Sequence, residues 1–133
     1  MKIIGVGVDI VDNTRIKKSI KNKNFILRIF SKKEINQSKR TKNKANFFSK
    51  RFAAKESLSK AIGTGFRNNL NFKDISVVND KYGKPSYVLS SKVKKLLHSK
   101  FNVKRINISL SLADEKKYSI AFSVIHKWLI DLQ

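Results

Sequence analysis

The first hydrophobic segment of the chain alternates with a period of two. Residues 3–11 are rich in β-branched side chains, and this pattern predicts a β-strand. Alternation assigns the side chains to two faces, Val6, Val8 and Ile10 on one and Gly5, Gly7 and Asp9 on the other. The second face has one carboxylate and almost no bulk, so another backbone or a ligand can approach it closely.

Capping residues predict where the first helices begin. Asp12 or Asn13 is expected to cap a helix that continues the chain after the strand. Residues 25–30 form a short amphipathic turn. The spacing of Ser31 and Glu34 is typical of a capping box, which predicts a second helix from Ser31 onward.

The clearest helix spans residues 47–62, because no glycine or proline interrupts it. Glu56 and Lys60 lie four residues apart on its polar side. Arg51 and Lys55 instead fall within its apolar arc. Either their long stems carry the charges out to solvent, or this arc faces a partner subunit or an anion.

The rest of the chain reads as strands around one more helix. The predicted strands are residues 72–78, 87–89, 103–112 and 118–125, and the predicted helix is 90–100. The last two strands are expected to pair antiparallel around a short turn. The sequence therefore predicts an α+β fold in which an antiparallel-rich sheet packs on a long central helix.

Length and composition narrow the class of protein. The 133 residues fit one domain, 1–133, and the absence of cysteine excludes disulfides, zinc–thiolate sites and thiol catalysis. Asp9 ends the N-terminal apolar run too early for a signal peptide, and no stretch approaches the ~20 apolar residues of a membrane span. We expect a soluble, cytoplasmic protein without a membrane partner.

The net charge of +21 predicts polyanionic partners. Nucleic acid, an anionic membrane, a nucleotide cofactor and an acidic protein all qualify. Lys, Asn and Ile are abundant together, as AT-rich coding would also produce. An alternative interpretation is therefore that many of the lysines are solvated surface residues without a dedicated partner.

Two acidic residues are candidates for metal binding. Mg²⁺ in proteins takes one or two carboxylates and completes its shell with water and phosphate oxygens. Asp9 and Glu56 could hold such an ion while Lys60 neutralises a phosphate. Spacing alone favours the simpler alternative, in which Asp9 begins a turn and Glu56 and Lys60 form an exposed ion pair worth ~0.3–0.5 kcal/mol.

The segment 63–65, Gly-Thr-Gly, directly follows the long helix. Its backbone N–H groups could face a phosphate, but a helix end followed by a loop explains the glycines better. The Gly-Lys-Ser/Thr sequence of a Walker loop is missing. His98 and His126 have no partner at the spacing of a metal site or a catalytic triad, so we expect both on the surface.

Four segments together resemble the holo-acyl-carrier-protein synthase family of 4′-phosphopantetheinyl transferases. They read GVGVDIV at 5–11, RFAAKESLSKAIGTG at 51–65, DKYGKP at 80–85 and SLADEKKY at 111–118. Their order and spacing match the family, and the resemblance covers residues 3–125. The long central segment is the most specific of the four.

The resemblance implies an enzyme that moves 4′-phosphopantetheine from coenzyme A to a serine of apo acyl carrier protein, for fatty acid biosynthesis. The other product is adenosine 3′,5′-bisphosphate. The family acts as a homotrimer with active sites between subunits, and such an interface would also explain the cations in the apolar helix arc. By position, Asp9 and Glu56 would ligate Mg²⁺, and Lys60 would contact the coenzyme A phosphates, making Glu56 and Lys60 the catalytic residues.

Further positions acquire implied roles in binding. Those expected near coenzyme A are Arg51, Gly63, Gly65, Gly83, Lys84 and Pro85. Arg15 and Arg28 match basic positions with which family members dock the acidic carrier protein. Asp114 stands where many members have a histidine, which removes a histidine role but not the activity. Residues 126–133 extend past the usual end of the family and are expected to form a C-terminal extension.

Two other functions compete with this prediction. A nucleic-acid-binding module would use the positive charge and could stack bases on the nine phenylalanines. Against it, no RNP, KH or helix-turn-helix pattern is present, and several phenylalanines hold core-like positions: Phe47, Phe48, Phe52, Phe72 and Phe122. A non-catalytic relative that only binds coenzyme A is disfavoured because Asp9, Glu56 and Lys60 are all retained.

Overall fold

The chain begins with a long strand and three short helices. The computed structural model describes residues 1–66 and 70–128. The strand is β1 (Lys2–Asp12), and the helices are α1 (Asn13–Ser19), α2 (Lys23–Ile29) and α3 (Lys32–Ser38). The expected caps are confirmed. Asp12 accepts a hydrogen bond from the backbone N–H of Thr14, and Ser31 and Glu34 form a capping box.

The central helix α4 (Lys44–Ile62) begins three residues earlier than predicted. The side chain of Asn43 accepts a hydrogen bond from the backbone N–H of Asn46, so the cap precedes the apolar pattern. The helix ends at Gly63, whose φ of 89° suits glycine. Most residues of α4 from Phe47 onward are buried, and these include several serines. The helix therefore lies in the core and is not a half-exposed amphipathic helix.

In the second half of the chain, the described residues 70–128 form four strands and one α-helix. These are β2 (Ile75–Asn79), β3 (Pro85–Leu89), α5 (Ser91–Phe101), β4 (Ile106–Asp114) and β5 (Tyr118–Lys127). The predicted strand 72–78 is shorter than expected, because Phe72–Asp74 form a 3₁₀ turn. In that turn the Asp74 carboxylate accepts a hydrogen bond from the backbone N–H of Asn71.

The strands form two separate sheets. The first is antiparallel with the strand order β1-β5-β4, and the second is the antiparallel hairpin β2-β3. Helix α4 packs against β1 and β5 of the larger sheet. The predicted α+β class, the antiparallel pairing of the last two strands and the central position of the long helix are all confirmed.

The glycine face of β1 lies against the backbone of α4. A Cβ atom added to Gly7 would stand 1.8 Å from the carbonyl oxygen of Ser57, and one added to Gly5 would stand 2.3 Å from that of Ala61. No side chain fits in either place. The expected close approach of another backbone to this face is therefore confirmed.

The opposite face of the larger sheet is exposed and apolar. Its large exposed hydrophobic side chains on β1 and β5 include Val6, Val8, Ile10, Ile120 and Phe122. Phe122 is 43% exposed, so its expected place in the core is wrong. We call these five residues the outer sheet face.

The core consists of two clusters that meet along α4. One surrounds the first half of the helix and contains Ile16, Phe30 and Phe48, while the other surrounds its second half and contains Leu58 and Leu97. Phe47 and Phe48 are buried, and Phe52 and Phe72 are partly buried and stacked on one another. These four rings are used for packing, so they are not available to stack on bases.

Lys55 lies inside the chain, not at an interface. Its Nζ is 2.7 Å from Glu34 Oε1 and 3.0 Å from the carbonyl oxygen of Phe72, and it also donates to the carbonyl oxygen of Ile75. Both charged side chains are 0% exposed. The expectation that the cations of the apolar arc face solvent, a partner or an anion is therefore wrong for Lys55.

The end of the described chain extends β5. His126 and Lys127, expected to begin a C-terminal extension, pair with β1 and β4 as part of β5. Trp128 follows the strand, and residues 129–133 of the expected extension lie outside the described residues. Within residues 1–66 and 70–128, no helix has the length and apolar character needed to cross a membrane.

Candidate active site

Asp9 and Lys60 meet where β1 crosses α4. The Nζ of Lys60 lies 3.0 Å from Asp9 Oδ1 and 3.0 Å from the carbonyl oxygen of Val8. Lys60 therefore forms its ion pair across two elements, with Asp9, instead of along the helix with Glu56. The simpler interpretation of an exposed Glu56–Lys60 pair is wrong, because its cation bonds to the strand.

Glu56 lies close to the same charges and is half-buried. Burial raises the pKa of its carboxyl group, and the nearby Asp9 carboxylate raises that pKa further. Lys60 and Arg15 act in the opposite direction and lower it. The structure thus brings together four charged side chains from three elements: Asp9, Arg15, Glu56 and Lys60.

The two glycines of β1 make this convergence possible. Gly7 and Asp9 are two residues apart on one face of the strand. Ser57, whose carbonyl group fills the space beside Gly7, is the neighbour of Glu56 on α4. Backbone contact at Gly7 therefore determines how closely the carboxylate of the strand approaches the carboxylate of the helix.

The pair of carboxylates fits a Mg²⁺ ion that completes its shell with substrate. In the described ranges, no three His, Asp or Glu side chains gather as an all-protein metal cage would require. Mg²⁺ commonly binds through only one or two carboxylates plus water and phosphate oxygens. Two acids of like charge, close enough for one to raise the pKa of the other, favour a cation between them.

Gly63 and Gly65 end α4 and do not present free N–H groups. The backbone N–H groups of Gly63 and Gly65 lie 3.0 and 3.4 Å from the carbonyl oxygen of Ser59. The interpretation as a helix end plus a loop is therefore confirmed, and the expected orientation of these N–H groups toward a phosphate is not observed. Space remains open beside Gly65, where an added Cβ would meet no atom of the described residues within 4 Å.

Asp80 organises the turn of the β2–β3 hairpin, which contains Gly83, Lys84 and Pro85. Its Oδ1 accepts hydrogen bonds from the backbone N–H groups of Tyr82, at 2.8 Å, and Lys84, at 2.9 Å. Gly83 has a φ of 85°, and space is open beside it. The turn is therefore rigid in its backbone and accessible to a ligand.

Arg51 is buried within the chain. Its guanidinium lies 3.6 Å from the centre of the Phe47 ring, and Nη1 donates to the carbonyl oxygen of Phe47 at 3.4 Å. Burial lowers its pKa to about 10, while the Glu34 carboxylate raises it. The charge that acts on Arg51 is therefore that of Glu34, and not that of Asp9 or Glu56. Its Nε is buried and finds no hydrogen-bond partner among the described residues.

Arg15 and Arg28 are both exposed, on α1 and α2. Arg15 is close enough to Glu56 to lower the pKa of that carboxyl group. Arg28 lines a groove together with Phe66, Phe72 and Asp74. Only Arg15 therefore joins the charged site, while Arg28 faces a groove formed by other elements.

The chain matches one protein-family model over most of its length. The model of the 4′-phosphopantetheinyl transferase superfamily matches residues 5–123, which include the carboxylate site, the hairpin turn and the last strand pair. The chain belongs to this superfamily.

Individual relatives of this transferase agree with the family match. It is 60% identical over 127 residues to a holo-[acyl-carrier-protein] synthase of Pelagibacter ubique, covering 96% of this chain and 99% of that protein. A holo-[acyl-carrier-protein] synthase structure from Neisseria meningitidis superposes with a TM-score of 0.84 at 34% identity, over 95% and 100% of the two chains.

A second similar structure contains bound coenzyme A. The Helicobacter pylori holo-[acyl-carrier-protein] synthase, solved in complex with coenzyme A, superposes with a TM-score of 0.76 at 30% identity, over 91% and 99% of the two chains. The resemblance inferred from the four sequence segments is confirmed.

Asp114 of this transferase has partners within its own chain. Asn46 Nδ2 donates to its Oδ2 at 2.9 Å, and Lys50 Nζ lies 3.6 Å from its Oδ1. The carboxylate therefore fixes the end of β4 to the first half of α4.

Asn13 is a buried residue of the transferase that sequence reasoning treated only as a possible cap. Its Nδ2 donates to the carbonyl oxygens of Glu115 and Lys116, and its Oδ1 accepts from Ser119 Oγ at 2.7 Å. These bonds hold the start of α1, and with it Arg15, to the β4–β5 turn. The partners lie more than 100 residues away, so no local signal indicated the contact.

A group of buried hydroxyls was also missed. The Tyr87 hydroxyl donates to the carbonyl oxygen of Ala54 at 2.6 Å and lies 2.6 Å from Ser123 Oγ, which in turn lies 2.6 Å from Ser57 Oγ. We call Tyr87, Ser57 and Ser123 the hydroxyl cluster. Its members lie 30 or more positions apart in the chain, so no local pattern indicated it.

Proposed function

We propose that the chain is a Mg²⁺-dependent holo-acyl-carrier-protein synthase. It transfers 4′-phosphopantetheine from coenzyme A to a serine of apo acyl carrier protein and releases adenosine 3′,5′-bisphosphate, in cytoplasmic fatty acid biosynthesis. The observation that carries this proposal is the convergence of Asp9, Glu56 and Lys60 in a member of the transferase superfamily. The coenzyme A complex of a relative of similar fold supports the choice of donor.

The reaction exchanges the phosphoanhydride bond of coenzyme A for a phosphodiester bond to serine. The carrier serine oxygen attacks the phosphorus that bears the pantetheine arm, and the bond from this phosphorus to the oxygen of the departing adenosine 3′,5′-bisphosphate breaks. Mg²⁺ held by Asp9 and Glu56 would neutralise charge on the pyrophosphate. The Lys60 ammonium group stabilises the negative charge that develops on the leaving group.

Glu56 is also suited to receive the serine proton. Its pKa is raised by burial and by Asp9, which moves it toward the pH at which the enzyme works. A raised pKa makes a carboxylate a better proton acceptor than an ordinary glutamate. Glu56 is therefore one candidate for the group that takes the serine proton, besides its proposed role in metal binding.

We further propose that the coenzyme A nucleotide lies along the hairpin turn and the end of α4. Gly83, Lys84 and Pro85 form an ordered, open turn, and open space beside Gly65 allows close approach of a ligand to the Gly63–Gly65 loop. Arg51 lies in the first half of α4 and is buried. A contact from Arg51 to the nucleotide would require its guanidinium to leave the Phe47 ring.

Arg15 and Arg28 are proposed to dock the acidic carrier protein. Both are exposed and lie on consecutive short helices. The net charge of +21 attracts an acidic protein over long range and raises the rate of encounter. Arg15 also lies near Glu56, so docking through it brings the carrier serine toward the reacting groups.

We also propose a homotrimer, but one that does not associate through the apolar arc of α4. The arc with Arg51 and Lys55 is buried within one chain, so it cannot form the interface. The outer sheet face supports association instead, because it exposes a contiguous apolar area on two adjacent strands. Light scattering that found only a 15.3 kDa monomer at micromolar concentration would contradict this assembly.

The test of the proposed function is the mass of the carrier protein. Apo carrier protein incubated with this chain, coenzyme A and Mg²⁺ should gain the mass of one phosphopantetheine group. Asp9→Ala and Glu56→Ala should each abolish the gain, and Lys60→Ala should reduce it strongly. Glu115→Ala, which removes an exposed carboxylate elsewhere, is the matched control and should behave as wild type. Near-normal Mg²⁺-dependent transfer by either carboxylate variant would overturn the metal assignment.

A further inference from the structure

The hydroxyl cluster joins three elements at one point. One hydrogen-bond assignment gives every hydroxyl one donated bond: Tyr87 and Ser57 both donate to the Ala54 carbonyl oxygen, at 2.6 and 2.9 Å, and Ser123 donates to Tyr87. Tyr87 belongs to β3, Ser57 to α4 and Ser123 to β5. The cluster therefore connects the small hairpin, the central helix and the large sheet.

Each member of the cluster lies close to part of the proposed site, along the chain or across the sheet. Ser57 follows Glu56 on α4. Ser123 pairs with Gly7 of β1, two residues from Asp9. Tyr87 lies two residues after Pro85, at the end of the hairpin turn. The cluster thus lies between the groups proposed to hold the pyrophosphate and the turn proposed to hold the nucleotide.

The two sheets are not joined by strand pairing. The hairpin β2–β3 forms a sheet of its own, and its alignment with the large sheet depends on side-chain contacts. On the β2 side, buried Lys55 and Glu34 bond to the backbone of Ile75 and Val77. On the β3 side, the Tyr87 hydroxyl makes the corresponding contact with α4 and β5.

We propose that Tyr87 is a positioning residue for the transfer reaction. Its hydroxyl holds the turn with Gly83, Lys84 and Pro85 at a fixed distance from the Asp9–Glu56 site. The nucleotide and the pyrophosphate of one coenzyme A molecule then engage both places at once. This inference rests on the proposed roles of the hairpin turn and of Glu56.

The surroundings of Tyr87 hold its ring in place and keep its hydroxyl protonated. Its ring packs against both core clusters, so the side chain has little freedom to move. Burial raises the pKa of Tyr87 to about 12, while the bonds to the two serines act in the opposite direction. The hydroxyl therefore stays protonated over the whole working range of pH.

Tyr87→Phe removes this hydroxyl and keeps the ring. Because positioning matters only when both ends of the substrate are bound, kcat/KM for coenzyme A should fall about 10- to 100-fold. The dissociation constant of adenosine 3′,5′-bisphosphate should stay unchanged, because this ligand lacks the pantetheine arm and the phosphate transferred with it. Transfer assays and isothermal titration calorimetry on the purified full chain measure the two quantities.

Ser38→Ala is the matched control. It also removes a buried hydroxyl that donates to a helix carbonyl, that of Ile35 at 2.6 Å, but on α3, a helix that carries no proposed site residue. It should lower the melting temperature while leaving kcat/KM unchanged. If Tyr87→Phe behaves in the same way, its role is structural only and the proposal fails. The proposal also fails if Tyr87→Phe weakens adenosine 3′,5′-bisphosphate binding as much as it lowers kcat/KM.

Two further variants keep the test decisive. If Tyr87→Phe does not fold, Ser123→Ala carries the same prediction, because it breaks the bond between Tyr87 and β5. Lys84→Ala tests the underlying proposal separately. If it leaves the affinity for adenosine 3′,5′-bisphosphate unchanged, the assigned nucleotide contact is wrong, whatever the Tyr87 variant does.

Discussion

Replacing Gly7 by alanine should separate β1 from α4 and disable the site. The added Cβ would lie 1.8 Å from the Ser57 carbonyl oxygen and 2.8 Å from the Ala61 nitrogen. Non-bonded heavy atoms prefer separations of about 3.5 Å, so strand and helix must move apart by more than about 1 Å. No rotation of a side chain can relieve the contact, because both obstructing atoms belong to the helix backbone.

The expected losses differ in size for stability and for activity. Overpacking a well-packed region costs about 1–3 kcal/mol, occasionally more, and backbone obstruction places Gly7→Ala at the upper end of this range. A shift of about 1 Å between groups that act together can reduce a rate about 100-fold. Because Asp9 and Glu56 lie beside the obstructed contact, we expect kcat to fall by at least this factor.

Urea unfolding and the mass-based transfer assay measure the two effects on the same preparation. Rates are expressed per folded molecule, so loss of folded protein does not count as loss of catalysis. Gly5→Ala is the comparison, because its Cβ would meet the Ala61 carbonyl oxygen at 2.3 Å, farther along α4 from Glu56. It should cost similar stability and less activity. A Gly7→Ala variant with wild-type stability and rate would refute the reasoning.

Two further predictions concern charges. Lys55→Met should destabilise the fold by about 3–5 kcal/mol, because it leaves the Glu34 carboxylate buried without its cation, and adding Glu34→Gln should restore part of the loss in urea unfolding. Arg15→Gln should move the acid limb of the kcat/KM profile to higher pH, because Arg15 lowers the pKa of Glu56 and its removal raises that pKa further. Arg28→Gln should weaken carrier-protein use without this shift, and an equal shift in both variants would contradict the assignment.

Local patterns predicted the elements that depend on nearby residues. The alternation of residues 3–11 became β1, and the spacing of Ser31 and Glu34 became a capping box. The close approach at Gly5 and Gly7 could also be predicted, because a face without side chains admits another backbone. Such features depend on residues within a few positions of one another, so the sequence alone can predict them.

Contacts between distant residues were not predictable in the same way. The sequence predicts that Lys55 reaches solvent or faces a partner subunit or an anion, because its real partner Glu34 lies 21 positions earlier in the chain. Lys60 was paired with Glu56 by helical spacing, but β1 brings Asp9 to its ammonium group. The site residues Asp9, Glu56 and Lys60 were therefore identified correctly as neighbours through the family resemblance, while their pairing required the fold.

Because Lys55 is buried, its chemical reactivity can report whether the protein is folded. The chain is rich in exposed lysines that an amine-reactive reagent modifies quickly, whereas the ammonium group of Lys55 is enclosed on every side. Its pKa is lowered by burial, which by itself would favour reaction, but a side chain that no reagent can reach remains unreactive. Labelling at position 55, read by peptide mass spectrometry, would thus report the fraction of molecules that have opened, in a preparation whose other lysines are already saturated.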